Sequence, residues 1–170
     1  YVTEEVAAEQ RRTMSARKPV AGSIAFKGDD KEFGLPYAYP NTLEGYELAG
    51  KELKSPLTTT ASNIEAGAAN FELMCTHCHG LGGKGDGAIS RNGHIMGIPD
   101  FSNKLKDLPE GNIYHTLMYG KGLMGSHASQ ISQKGLWQII QYVQVLQKGG
   151  QMPTFDSDGV ALVTETENND

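Results

Sequence analysis

Both cysteines of the chain fall within one five-residue string, Cys75-Thr76-His77-Cys78-His79. Thiols and imidazoles this close together are nucleophiles and metal ligands, and four chemistries compete for them. A disulfide between Cys75 and Cys78 would close a loop too small to restrict much of the unfolded chain. A thioredoxin-like redox pair needs a βαβ context, whereas the flanks here are rich in Ala and Gly and read as helical. A zinc site could draw on Cys75, Cys78 and two of His77, His79, His94, His115 and His127, but it lacks the usual second ligand pair at short spacing. The fourth chemistry is covalent attachment of a c-type haem. Residues three apart on a helix share a face, so two thiols can reach the two vinyl groups of one porphyrin edge. His79 then projects its imidazole toward the metal from the same side. This reading uses both thiols and leaves none over, and the motif favours it.

The flanks supply the elements that must hold these groups. Residues 61–79 read as a helix, with Ser62 and Glu65 as a capping box. Gly67, Phe71 and Cys75 recur every four residues, and Ile64, Ala68 and Cys78 fall on or near that face. Gly80, Gly82, Gly83, Gly85 and Gly87 then end the helix and give a loop that can fold closely around a bulky planar ligand. A phosphate-binding loop is excluded, because neither the preceding strand nor the G-x-x-x-x-G-K-[ST] spacing is present. A second helix is expected from about Pro109 to Tyr119, capped by Asp107 with Glu110 and stopped by Gly120. Its apolar stripe is Ile113, Tyr114, Leu117 and Met118. A third runs from about Ser132 to Lys148, with Leu136, Ile139, Ile140, Val143 and Leu146 facing inward and Gly149-Gly150 beyond its end. No segment alternates with period two, so the fold class is all-α, with three main helices in residues 61–150.

The chain has 170 residues, 38% of them hydrophobic, and 21 glycines, which suits one loop-rich domain with long extensions. Its longest apolar stretch, Leu136–Leu146, is interrupted by Gln138, Gln141 and Gln144, so no segment reads as a membrane span. The net charge of -5 resides in residues 151–170, where Asp156, Asp158, Glu165, Glu167 and Asp170 face no Lys or Arg. That segment reads as a solvated acidic tail. Residues 1–150 balance 15 cations against 15 carboxylates, and without a basic stripe nucleic-acid binding is set aside. Residues 1–60 are dense in aromatics and prolines, as in Phe33-Gly34-Leu35-Pro36-Tyr37-Ala38-Tyr39-Pro40. They read as an extended segment docked on partner subunits or wrapped on the domain. The opening at Tyr1 has the look of a processed chain.

Gly67-x-x-x-Phe71-x-x-x-Cys75-x-x-Cys78-His79, with a final helix carrying Ile139 and Tyr142, resembles a class I cytochrome c over roughly residues 62–148. The resemblance implies one covalently bound haem c on Cys75 and Cys78, with His79 as one axial iron ligand. Candidates for the opposite position are Met96, Met118, Met124, Met152, His94, His115 and His127. Met118 belongs to a helical stripe, where methionine is ordinarily core filler, and His115 is expected on that helix's polar flank. Met124 lies in a glycine-flanked loop 45 residues after His79, where class I cytochromes present their methionine. It is the expected ligand, with His127 the runner-up. The resemblance also implies that the Pro99 carbonyl accepts the Nδ1–H of His79 and fixes its plane.

With Ile98-Pro99-Asp100-Phe101 and Pro109-Glu110-Gly111-Asn112-Ile113-Tyr114-His115, the whole chain resembles the monohaem cytochrome c subunit of bacterial alternative complex III. That implies a single-electron carrier, not an enzyme by itself, in a quinol-oxidising respiratory assembly. Its partners would be a multihaem cytochrome and, as acceptor, a terminal oxidase. It would sit on the periplasmic side of the cytoplasmic membrane, held by partners or by a lipid anchor upstream of Tyr1. A free soluble carrier and a haem sensor or peroxidase with a labile sixth ligand are the alternatives.

Overall fold

A computed structural model describes residues 20–23 and 36–162. The chain divides into two units, residues 1–37 and 38–170. The described part of the first includes a turn in which the Ser23 N–H donates to the Val20 carbonyl at 2.9 Å. The aromatic run at 33–35 and the last eight residues lie outside the described residues.

The second unit contains α1 (Leu43–Glu52), α2 (Ala61–Met74), α3 (Thr76–His79), α4 (Ala88–Arg91), α5 (Glu110–Tyr119) and α6 (Gln133–Gln147). Among the described residues the extended backbone pairs only as isolated antiparallel bridges, so the fold is all-α. Its centre is the crossing of α2 with α6. Ile64, Gly67 and Phe71 meet the buried face formed by Leu136, Ile139, Ile140 and Val143. A Cβ at position 67 would overlap the Gln138 carbonyl, so the backbones touch there and only glycine fits.

The glutamines that break the apolar run on α6 are ties. Gln138 Nε2 donates to Asn63 Oδ1 at 3.1 Å, Gln141 Nε2 to the Leu57 carbonyl at 3.2 Å, and Gln147 Nε2 to the Leu105 carbonyl at 2.6 Å. One helix thus fixes α2, the segment before it and the loop before α5.

Three expectations about helix ends need correction. The cap of α2 is Thr60, whose hydroxyl accepts the Asn63 N–H at 3.1 Å from an extended backbone; Ser62 lies inside the helix, so the Ser62–Glu65 box is not made. The helix is interrupted at Cys75, which leaves residues 76–79 as a separate turn. Helix α5 begins at Glu110 after an N-cap at Pro109, with no side-chain cap from Asp107. Ser132 does cap α6, accepting the Gly135 N–H at 3.1 Å.

Residues 1–60 are not uniformly extended. Residues 43–52 form α1, capped by Thr42 with Glu44 in the first turn and Lys51 in the last, all favourable to the helix dipole. It packs on α5. Nor is the acidic tail solvated throughout. Val160 pairs with Thr60 and Ala161 with Phe155, while Asp156 Oδ1 accepts N–H bonds from Asp158 and Val160, each at 2.9 Å. No described helix is long and apolar enough to cross a membrane.

Candidate functional site

The last turn of α2 and the whole of α3 bring Cys75, Cys78 and His79 together. The Cys75 carbonyl accepts from the Cys78 and His79 N–H groups at 3.2 and 2.9 Å, which holds all three on one turn. Both thiols are free, Cys75 buried and Cys78 half-buried. Burial, and then the neighbouring Cys78, push the Cys75 thiol up to about 11, so it stays protonated at neutral pH. The glycine loop folds back over this turn: Gly85 N–H donates to the His79 carbonyl at 2.9 Å and Gly87 N–H to the Cys78 carbonyl at 3.1 Å. At Gly85, φ is +75° and the Ile98 carbonyl occupies the place of a Cβ, so no other residue closes the loop so tightly.

The His79 ring stacks on Phe101, centroids 4.8 Å apart and planes at 22°. Phe71 flanks it at 6.4 Å. Phe101 is placed by its own N–H, which donates to the Gly83 carbonyl at 2.9 Å. Burial, and then the proximity of His127, lower the His79 pKa, so the neutral, ligating imidazole is favoured. His79 Nδ1 is buried without a hydrogen-bond partner. The bond to the Pro99 carbonyl is therefore not made; stacking on Phe101 sets the ring plane instead. Phe101 is the site residue that sequence reasoning missed as such, and its only signal was its place in Ile98-Pro99-Asp100-Phe101.

In the loop after α5, Lys121 and Met124 pair across a tight turn: Lys121 N–H donates to the Met124 carbonyl at 2.9 Å and Met124 N–H to the Lys121 carbonyl at 3.1 Å. Met124 is half-buried. His127 is anchored by its N–H on the Leu117 carbonyl at 2.8 Å, and its Nδ1 is buried without a partner, like that of His79. The other candidates differ in exposure. Met96 is 82% exposed and Met152 49%, and His94 is exposed. Met118 is half-buried on α5. His115 is not on a polar flank: it is buried, between Tyr46 at 5.6 Å and Tyr119 at 4.9 Å, because α1 covers that side of α5.

Among the described residues no group of three or more His, Cys, Asp and Glu side chains converges to hold a metal ion, so the zinc alternative has no third donor. Two free thiols three residues apart, an imidazole beside them whose neutral form is favoured, and buried unpartnered ring nitrogens on His79 and His127 fit a haem. Residues 62–143 match the family described as "Cytochrome C oxidase, cbb3-type, subunit III".

This stretch is a class I c-type cytochrome domain.

Such a domain carries electrons on haem. The cytochrome chain is also similar to a solved chain of the reducing HAO-like protein complex of Kuenenia stuttgartiensis, at 25% identity and a TM-score of 0.48. That likeness covers 56% of this chain and 48% of the solved one, so this chain spans about half of the structure it resembles. A comparison with curated proteins returns no match.

Proposed function

We propose that the chain holds one covalently bound haem c and carries single electrons as a subunit of a quinol-oxidising membrane assembly, the bacterial alternative complex III. It works there as a carrier and not as an enzyme by itself. The observation that carries this reading is the single turn that brings Cys75, Cys78 and His79 together. Cys75 and Cys78 would hold the haem through thioethers, which keeps it in place even on a small core. His79 and Met124 would hold its iron, and the group would supply a centre that changes by one electron. Phe101 and the glycine loop keep the His79 plane fixed through that change. The assignment to the complex is supported by the resemblance carried by Ile98–Phe101 and Pro109–His115. On this reading the chain works on the periplasmic face of the cytoplasmic membrane, beside a multihaem cytochrome and upstream of a terminal oxidase, held by partners or a lipid anchor. The matched family is itself named for an oxidase subunit.

Mass spectrometry of the denatured chain should show one haem per polypeptide, and Cys75→Ala with Cys78→Ala should abolish its retention. An unmodified mass with bound zinc would overturn the haem reading. Mild solubilisation of native membranes followed by haem-stained electrophoresis tests the assembly. Co-migration with a multihaem subunit is expected, and recovery only in the soluble fraction would sink it.

One observation favours a second distal ligand. His127 Nδ1 is buried without a partner and His127 lies close enough to lower the His79 pKa. A ferric spectrum lacking the sulfur-to-iron charge-transfer band, with a low potential, would assign the position to His127 in place of Met124.

A further inference from the structure

The geometry points to α1 as a clamp on the distal loop: Tyr46 holds the turn bearing Met124 through Lys121, and so sets how often the sixth iron position opens. The inference rests on Met124 as distal ligand. Helix α1 lies outside the residues that match the cytochrome family. It is nonetheless seated on α5 at backbone distance. Ala49 is fully buried, a Cβ at Gly111 would overlap its carbonyl, and one at Gly50 would overlap the Asn112 side chain. Asn112 Nδ2 donates to the Tyr46 carbonyl at 2.8 Å, which fixes the residue that matters. Lys54 pairs with Glu110 at 3.8 Å and the Tyr119 hydroxyl donates to the Tyr39 carbonyl at 2.9 Å, one at either end of α5.

From this platform the Tyr46 ring meets His115 edge-on, at 5.6 Å and 84°, and the Lys121 ammonium sits 4.0 Å from its centroid. Lys121 is also the residue that exchanges two backbone hydrogen bonds with Met124. The far end of the loop is tied by His127 N–H to the Leu117 carbonyl. Between these ties Gly122, Leu123 and Gly125 are exposed, Leu123 by 78%, so the loop gains little from burial. A cation over an aromatic face is then one of the few contacts holding the methionine turn against the domain. Loss of that contact frees the turn without touching the thioethers or His79.

The test uses the full haem-loaded chain carrying Tyr46→Leu, Tyr46→Phe or Lys121→Gln. Carbon monoxide binding to reduced iron requires the sulfur to leave, so its rate follows loop opening. Tyr46→Leu and Lys121→Gln should speed it by about two- to thirty-fold, the span that a single cation–π contact supports. The ferric sulfur-to-iron band should weaken, and amide exchange over residues 120–126 should accelerate. Tyr46→Phe, which keeps the aromatic face, should restore all three. Lys121→Gln keeps the test open if Tyr46→Leu does not fold, since Lys121 is exposed. Unchanged exchange and binding in folded Tyr46→Leu or Lys121→Gln chains would overturn the clamp. Met124→Ala, run alongside, separates the two ideas. If it leaves the band and the binding rate unaltered, the ligand assignment fails, and amide exchange alone then decides the clamp.

Discussion

Gly67→Ala probes the crossing that holds the haem-bearing helix. On an open helix surface the change would help by about 1 kcal/mol, because alanine is the better helix former. At this site the new methyl overlaps the Gln138 carbonyl and lies 3.1 Å from the Ile139 nitrogen, both of them backbone. No side chain can swing aside, so α2 and α6 must separate. Ile64, Phe71, Leu136, Ile139 and Ile140, all buried, lose contact together. Forced overpacking costs about 3 kcal/mol at the upper end of its usual range. Set against the helix-propensity gain, the net loss is about 2 kcal/mol. For a domain of this size that lowers Tm by roughly 6–10 °C. Gly82→Ala is the control, since its nearest neighbours are Lys84 side-chain carbons at 3.8 Å or more. The assay is denaturant and thermal unfolding of the haem-loaded chain followed by far-ultraviolet circular dichroism. Equal stability of the two variants, within about 0.5 kcal/mol, would refute the backbone-contact account.

Met124→Ala should leave the haem attached yet lower the reduction potential and open the iron to small ligands; Met118→Leu should cost under about 1.5 kcal/mol and leave the spectrum nearly unchanged. Potentiometry and absorbance check both. Burial, and then the Lys121 charge, hold the His115 pKa below its usual value. The unfolded chain therefore takes up a proton below about pH 6.5 while the folded one resists. That stability is present above pH 6.5 and is lost as pH falls through the lower folded pKa, and His115→Phe should flatten the urea midpoint over this window. Tyr114, buried against Trp137 at 4.4 Å, is pushed up to about 12 by burial. The unfolded phenol ionises near pH 10, so stability should fall as pH rises from about 10 to about 12, and Tyr114→Phe should remove that slope. Residues 61–150 carry seven cations and six carboxylates before the haem propionates, so electron transfer to a partner should depend weakly on salt; a steep fall would locate a charged patch at the haem edge.

The proximal half of the site was legible because its chemistry is local. Two thiols and a histidine on one turn, with Phe71 and Gly67 one and two turns earlier, are a pattern that sequence displays directly. Long amphipathic runs likewise marked α6 and most of α2 and α5. Helix α1 was not legible, because it docks on α5 through Ala49 and Gly50, and hydrophobic periodicity does not register small residues. Thr42, Glu44 and Lys51 were the available signal, masked by the prolines and tyrosines around them. His115 was misplaced for the same reason, since its burial depends on α1. Stacking of His79 on Phe101, across 22 positions, comes from how the glycine loop closes, and residue spacing does not encode that.

The tail that returns to the start of α2 has a topological consequence. Thr59 accepts the Ala161 N–H at 2.8 Å, so a span of about a hundred residues leaves and re-enters the domain at one point. The stretch from 59 to 161 is therefore a loop closed on itself, with its two ends hydrogen-bonded side by side. Domains of this kind tolerate insertion into other chains and rejoining of their ends, because neither operation stretches the interior. Linking these two ends and opening the chain in an exposed loop instead should leave the α2–α6 crossing and the Cys75–His79 turn where they are.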